Sequence, residues 1–185
     1  MIDTKAIEEH VRGILAALGE DPDREGLAGT PERVARMYTE VFEGINYTNH
    51  EIAQMFSKSF EAPANPGPVI IRDIEVFSFC EHHMALMYDM TVNVAYIPNG
   101  RVLGLSKIAR ICDMAAKRLQ LQEKLGSDIA EIIGEAANTD SVAVKIVGSH
   151  SCMTARGIGN VAARTETRTF TGAFRDSVEL AKIVE

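Results

Sequence analysis

Cysteine is scarce in this chain. Three among 185 residues is an odd, small number that builds no disulfide framework. Basic charge is also short: 19 Lys and Arg stand against 26 Asp and Glu, a formal net charge of −7. An acidic chain without a basic tail is poorly suited to coating nucleic acid or an anionic membrane, so neither is expected as a partner. No apolar run approaches the roughly 20 residues of a membrane span. The start, Met1-Ile2-Asp3-Thr4-Lys5-Ala6, has neither the basic nor the apolar stretch of a secretory signal, so a cytoplasmic location is expected. Repeats and low-complexity tracts are missing too. What is present is an ordinary globular balance, 46% hydrophobic and 24% charged, in a length that fits one domain with a real core. Net charge does not describe a single pocket, so a small anionic substrate stays open.

The patterning changes along the chain. Ile7, Val11, Ile14, Leu15 and Leu18 repeat at helical spacing, with Asp3 or Thr4 to start the helix and Gly19 to end it. A second helix is punctuated by Thr30 at the cap and Pro31 at the first position, with a stripe of Val34, Met37, Tyr38, Val41 and Phe42 and a stop at Gly44. Residues 61–68 hold three of the six prolines and read as a crossing loop. Strands are predicted at Val69–Phe77 and at Tyr88–Ile97, where Met90, Val92, Val94 and Tyr96 share a face. Pro98-Asn99-Gly100 predicts a hairpin turn back into 101–105. Ser106 is expected to cap a long helical stretch. That stretch changes phase near Gln120, with Gly126 as a weak point, and reads as two helices. Strands at 141–147 and 164–174 follow. Helices, then a mostly antiparallel sheet with a helix pair inserted, make an α+β domain.

Chemistry concentrates in two clusters. Cys80-Glu81-His82-His83 follows a strand, and its C-x-x-H spacing can turn a thiolate and an imidazole onto one metal ion. His150-Ser151-Cys152 ends another strand. These clusters hold three of the five histidines and two of the three cysteines. Zinc on Cys80, His83 and Cys152 has three protein ligands and one open position, the catalytic arrangement. His82 and His150 are then spare imidazoles suited to proton transfer. The alternative for Cys152 is a small core residue, which is the reading given to Cys112 beside Ile111 and Ala115. Near these clusters Gly104-Leu105-Ser106-Lys107 opens a helix, with Arg110 three residues on and Arg156 after Cys152. Together they suggest an anion site, although each cation alone reads as a solvated surface residue.

Six motifs in order resemble the GTP cyclohydrolase I family: Thr30-Pro31-Glu32-Arg33-Val34-Ala35-Arg36-Met37-Tyr38, Cys80-Glu81-His82-His83, Ala95-Tyr96-Ile97-Pro98, Gly104-Leu105-Ser106-Lys107, Gln120-Leu121-Gln122-Glu123 and His150-Ser151-Cys152-Met153-Thr154-Ala155-Arg156-Gly157-Ile158. The resemblance covers most of the chain. It implies the tunnelling fold, a four-stranded antiparallel sheet with two helices on one face. It also implies a single domain over 1–185, helical over 1–60 and catalytic over 69–185, and a toroidal homodecamer with sites between subunits. The implied reaction converts GTP and water to 7,8-dihydroneopterin triphosphate and formate, the first step of folate and pterin synthesis. Carried over by position, Cys80, His83 and Cys152 hold zinc. His150 protonates a purine nitrogen as water adds at C8. His82 contacts ribose, and Ser106 assists the later rearrangement. Glu123 reads guanine, with Gln122 beside it among the substrate contacts. Lys107, Arg110, Arg156, Arg36 and Arg33 meet the triphosphate. Leu119 stands where many members have proline, so a softer break between the two helices is expected there.

Overall fold

Runs of β-branched and aromatic residues build the strands, and helical stripes cover them. The computed structural model describes residues 1–184. The first third is helical: α1 (Thr4–Ala17), α2 (Thr30–Val41), a 3₁₀ turn (Glu43–Asn46) and α3 (Asn49–Met55). There follow β1 (Ser59–Glu61), β2 (Val69–Cys80), β3 (Ala85–Tyr96), β4 (Arg101–Leu103), α4 (Leu105–Ala116), β5 (Leu119–Gln120), α5 (Gln122–Ala137) and β6 (Val142–His150). The chain continues through α6 (Ser151–Thr154), β7 (Thr165–Phe170), α7 (Ala173–Asp176), α8 (Val178–Ala181) and a 3₁₀ turn (Lys182–Val184). No helix among the described residues is long and apolar enough to cross a membrane.

The main sheet runs β5-β2-β3-β6-β7. Its four long strands pair antiparallel, as expected, and the two residues of β5 add a short parallel edge to β2. Side chains alternate across a strand. Val92 and Val94 of β3 and Val144 and Ile146 of β6 therefore share one face, packed with Ile108, Ile111, Cys112 and Ala115 of α4 and Leu125, Ile129, Ile132 and Ile133 of α5. Ala95 and Ala143 face the other way, paired in register, and their small side chains leave room for Phe174 and Val184 of the C-terminal segment.

Several local expectations change. β4 does not fold back on β3. It pairs with β1, Ser59 opposite Leu103 and Glu61 opposite Arg101. The reason is that both edges of β3 are already taken by β2 and β6. Tyr96 still links the two segments, because its hydroxyl accepts from the Leu103 N–H at 2.9 Å. Helix α4 is capped by Gly104, with Ser106 inside its exposed first turn, and Gly29 rather than Thr30 precedes α2. The break between the two long helices is no soft join. It is β5, held by Arg118, whose guanidinium donates to Gly44 O, Tyr47 O, Asn49 Oδ1 and Asp128 Oδ2. Gly126 is not a weak point but a buried contact, where an added Cβ would lie 2.8 Å from Thr169 Oγ1. The face of α1 forms as predicted, capped by Asp3, yet no residue of α1 is buried.

Candidate active site

Sheet order explains how residues so far apart in sequence meet. β2 and β6 are the two neighbours of β3, and both reach the same end of it, with Cys80 opposite Ala85 and His150 opposite Met87. Cys80 is the last residue of β2. The chain reverses over 81–84, with Met84 in the left-handed region (φ 49°), and this turn carries His82 and His83. β6 runs directly into α6, which carries Cys152 and is tied to β3 by Ser151 Oγ donating to Leu86 O at 2.7 Å.

The potential ligand atoms of Cys80, His83 and Cys152 lie within 4.8 Å of one another. Cys80 is buried, Cys152 half-buried and His83 exposed, and all three cysteines are free thiols. Burial pushes the Cys152 thiol up, the neighbouring Cys80 adds to this, and Arg156 opposes it. Two thiols and an imidazole converging without a disulfide are the donor set zinc takes, and three donors leave one position open. The residues therefore fit zinc.

A cleft of about 220 Å³ adjoins these donors and is lined by Cys80, His82, Gln120, Gln122, Glu123, His150 and Cys152 among others. His82 Nδ1 is 3.8 Å from Cys80 Sγ. His150 is half-buried at the end of β6. Burial lowers its pKa below the usual imidazole value, and Glu123 opposes that shift. Glu123 itself is exposed in the first turn of α5. Gln122 lines the cleft but is 1% exposed, and its amide is engaged by protein groups.

The cations are more dispersed. Lys107 Nζ stands 5.9 Å from the centre of the Phe56 ring. Arg110 and Ser106 are exposed on α4, and Arg33 and Arg36 on α2, where Arg36 lies 3.6 Å from Glu32. None of these five lines the cleft. Arg156 is exposed and turns its guanidinium onto His83 Nε2. A single chain thus brings together the metal donors, both spare histidines and the carboxylate, and leaves most of the cations outside. The lining residues outside the motifs picked out in sequence are Met87 and Thr165, which carry no chemical signature there.

Fold and cleft define an α+β protein with a catalytic-type metal cradle beside two imidazoles and a carboxylate. A sequence model of GTP cyclohydrolase I matches residues 7–184. The chain is 60% identical over 184 residues to the GTP cyclohydrolase 1 of Ruminiclostridium cellulolyticum, covering 97% of this chain and 94% of the relative. It is 57% identical over 183 residues to that of Clostridium acetobutylicum, with the same coverage. Among solved structures, the apo crystal structure of the archaeosine synthase QueF-Like aligns with a TM-score of 0.48 at 25% identity, over 59% of this chain and 97% of that one. The chain belongs to the GTP cyclohydrolase I family.

Proposed function

We propose that this chain is a zinc-dependent hydrolase. It opens the imidazole ring of GTP, releases formate and rearranges the product to 7,8-dihydroneopterin triphosphate, feeding pterin and folate synthesis. The observation that carries the proposal is the meeting of Cys80, His83 and Cys152 with His82, His150 and Glu123 at one end of the sheet. Zinc bound there supplies Lewis-acid activation of water.

The chain's own side chains do the rest. Glu123 accepts from the N1–H and the 2-amino group of guanine, a donor pair that adenine lacks. A site built for those donors rejects a nucleotide without them. His150, once protonated, gives that proton to a purine nitrogen as water adds at C8, and burial, which lowers its pKa, favours the release. His82 assists proton movement near the ribose, and Ser106 lies toward the ribose–phosphate end. Lys107, Arg110, Arg156, Arg36 and Arg33 meet the triphosphate. None of these cations lines the single-chain cleft, so in this reading more than one subunit contributes them. A homodecamer of the tunnelling fold fits that requirement, with each chain one domain, helical over 1–60 and catalytic over 69–185, working in the cytoplasm.

The test is turnover. Purified protein carrying about one zinc per chain should convert GTP with formate release and a rising dihydropterin absorbance. A chelator should stop this and zinc restore it. Zinc-loaded protein that binds GTP but releases no formate would sink the proposal. In His150→Ala, zinc content should be unchanged and ring opening lost.

A further inference from the structure

Gln122 is the first residue of α5 and almost wholly buried, at 1% exposure. Its Nε2 lies 3.1 Å from Ile146 O, 3.1 Å from Thr165 O and 3.2 Å from Thr167 Oγ1. The two carbonyls can only accept, so the amide nitrogen must face them and the amide oxygen must face away. That oxygen lies 2.9 Å from His150 Nε2. An amide oxygen can only accept as well, so Nε2 of His150 carries the hydrogen. A neutral imidazole has one N–H, which leaves the lone pair on Nδ1. Gly148 keeps the space open, because a Cβ there would stand 3.5 Å from Gln122 Oε1 and 2.8 Å from Met90 Cγ.

We propose that Gln122 is a positioning residue: it fixes the ring orientation and the Nε2–H tautomer of His150, so that Nδ1 is the nitrogen that exchanges the reaction's proton. The last clause rests on the acid–base role proposed for His150; the tautomer does not. The logic matches that of a metal-site histidine whose second nitrogen is held by a fixed acceptor. Here the acceptor is itself fixed, by the backbone of two strands, β6 and β7.

The test uses the full zinc-loaded chain with ¹⁵N-labelled histidine, the His150 signal being assigned by its loss in His150→Ala. Wild-type protein should show His150 protonated on Nε2 alone. Gln122→Met has nearly the same volume without the amide. It should show mixed tautomers and a kcat reduced about 10- to 100-fold, with KM for GTP and zinc content unchanged. Gln122→Glu, whose protonated side chain can still donate to a carbonyl and accept from Nε2–H, should retain the single tautomer and recover most of kcat. Protonation of wild-type His150 on Nδ1 overturns the proposal, and this reading holds even if Gln122→Met does not fold. A Gln122→Met chain with unchanged tautomer and kcat overturns it too. So does a change confined to KM, which would make Gln122 a substrate contact. Because the tautomer is read without turnover, its failure is distinct from a failure of the enzymatic reading.

Discussion

Cys112 and Cys152 are the same residue type with opposite chemistry, and their surroundings decide which is which. Cys112 is fully buried on the apolar face of α4, and burial pushes its thiol up to about 12, so it is inert. Cys152 stands beside Cys80 and within reach of His83. Cys152→Ser should lose zinc and turnover together, read by metal analysis and formate release. Cys112→Ser should keep zinc and lose about 1–3 kcal/mol of stability for burying a hydroxyl, read by urea unfolding. Glu123→Ala should weaken GTP binding about 10- to 100-fold, the worth of charge-assisted hydrogen bonds, with zinc unchanged; titration calorimetry separates the two. The metal donors were legible in sequence because a C-x-x-H turn and a second Cys/His cluster at strand ends carry their own spacing. Gln122 was not. The resemblance grouped it with Glu123 in one motif, but successive helix residues point about 100° apart. Gln122 therefore turns into the sheet and Glu123 out to solvent.

At the scale of elements, periodicity located the long strands and helices, and failed where partner choice decided the outcome. The chain does bend at Asn99-Gly100, yet the strand after it cannot pair with β3, which has no free edge. A turn signal describes local backbone and does not count neighbours. Gly126 failed for a related reason: a glycine in a helical run looks like a defect until the strand it touches is known. Gly126→Ala gains about 1 kcal/mol of helix propensity. Against that, its Cβ would press on Thr169 Oγ1 at 2.8 Å, a branched side chain with little room to move. Overpacking of about 1–3 kcal/mol should win, so the substitution should lower the thermal midpoint. A raised midpoint would show that β7 can shift.

At the scale of the whole molecule, length and composition allowed a real core but could not show whether one chain makes a whole site. No residue of α1 is fully buried, and Ile14 (58%), Leu18 (74%), Phe77 (64%), Ile158 (79%) and Val161 (78%) are exposed. Scattered apolar residues are ordinary on a surface, but here they accompany a cleft lined by none of the cations proposed for the triphosphate. Sedimentation should therefore give a mass several times 20.2 kDa, and specific activity should fall on dilution into the dissociating range. A fully active 20.2 kDa monomer would contradict the shared site.

Cys80 ends β2 and Cys152 follows directly after β6, the two strands that flank β3, and this placement has one more consequence. In a zinc finger the ion must gather a disordered chain, so removing it unfolds the domain. Here the β-ladders of β3 close the long loop between the two cysteines before any ion arrives. The ordering entropy that a metal would otherwise have to offset has already been met by hydrogen bonds and the apolar core. Metal affinity in this chain should thus be a property the sheet confers on the site, and stripping the metal should leave the fold intact.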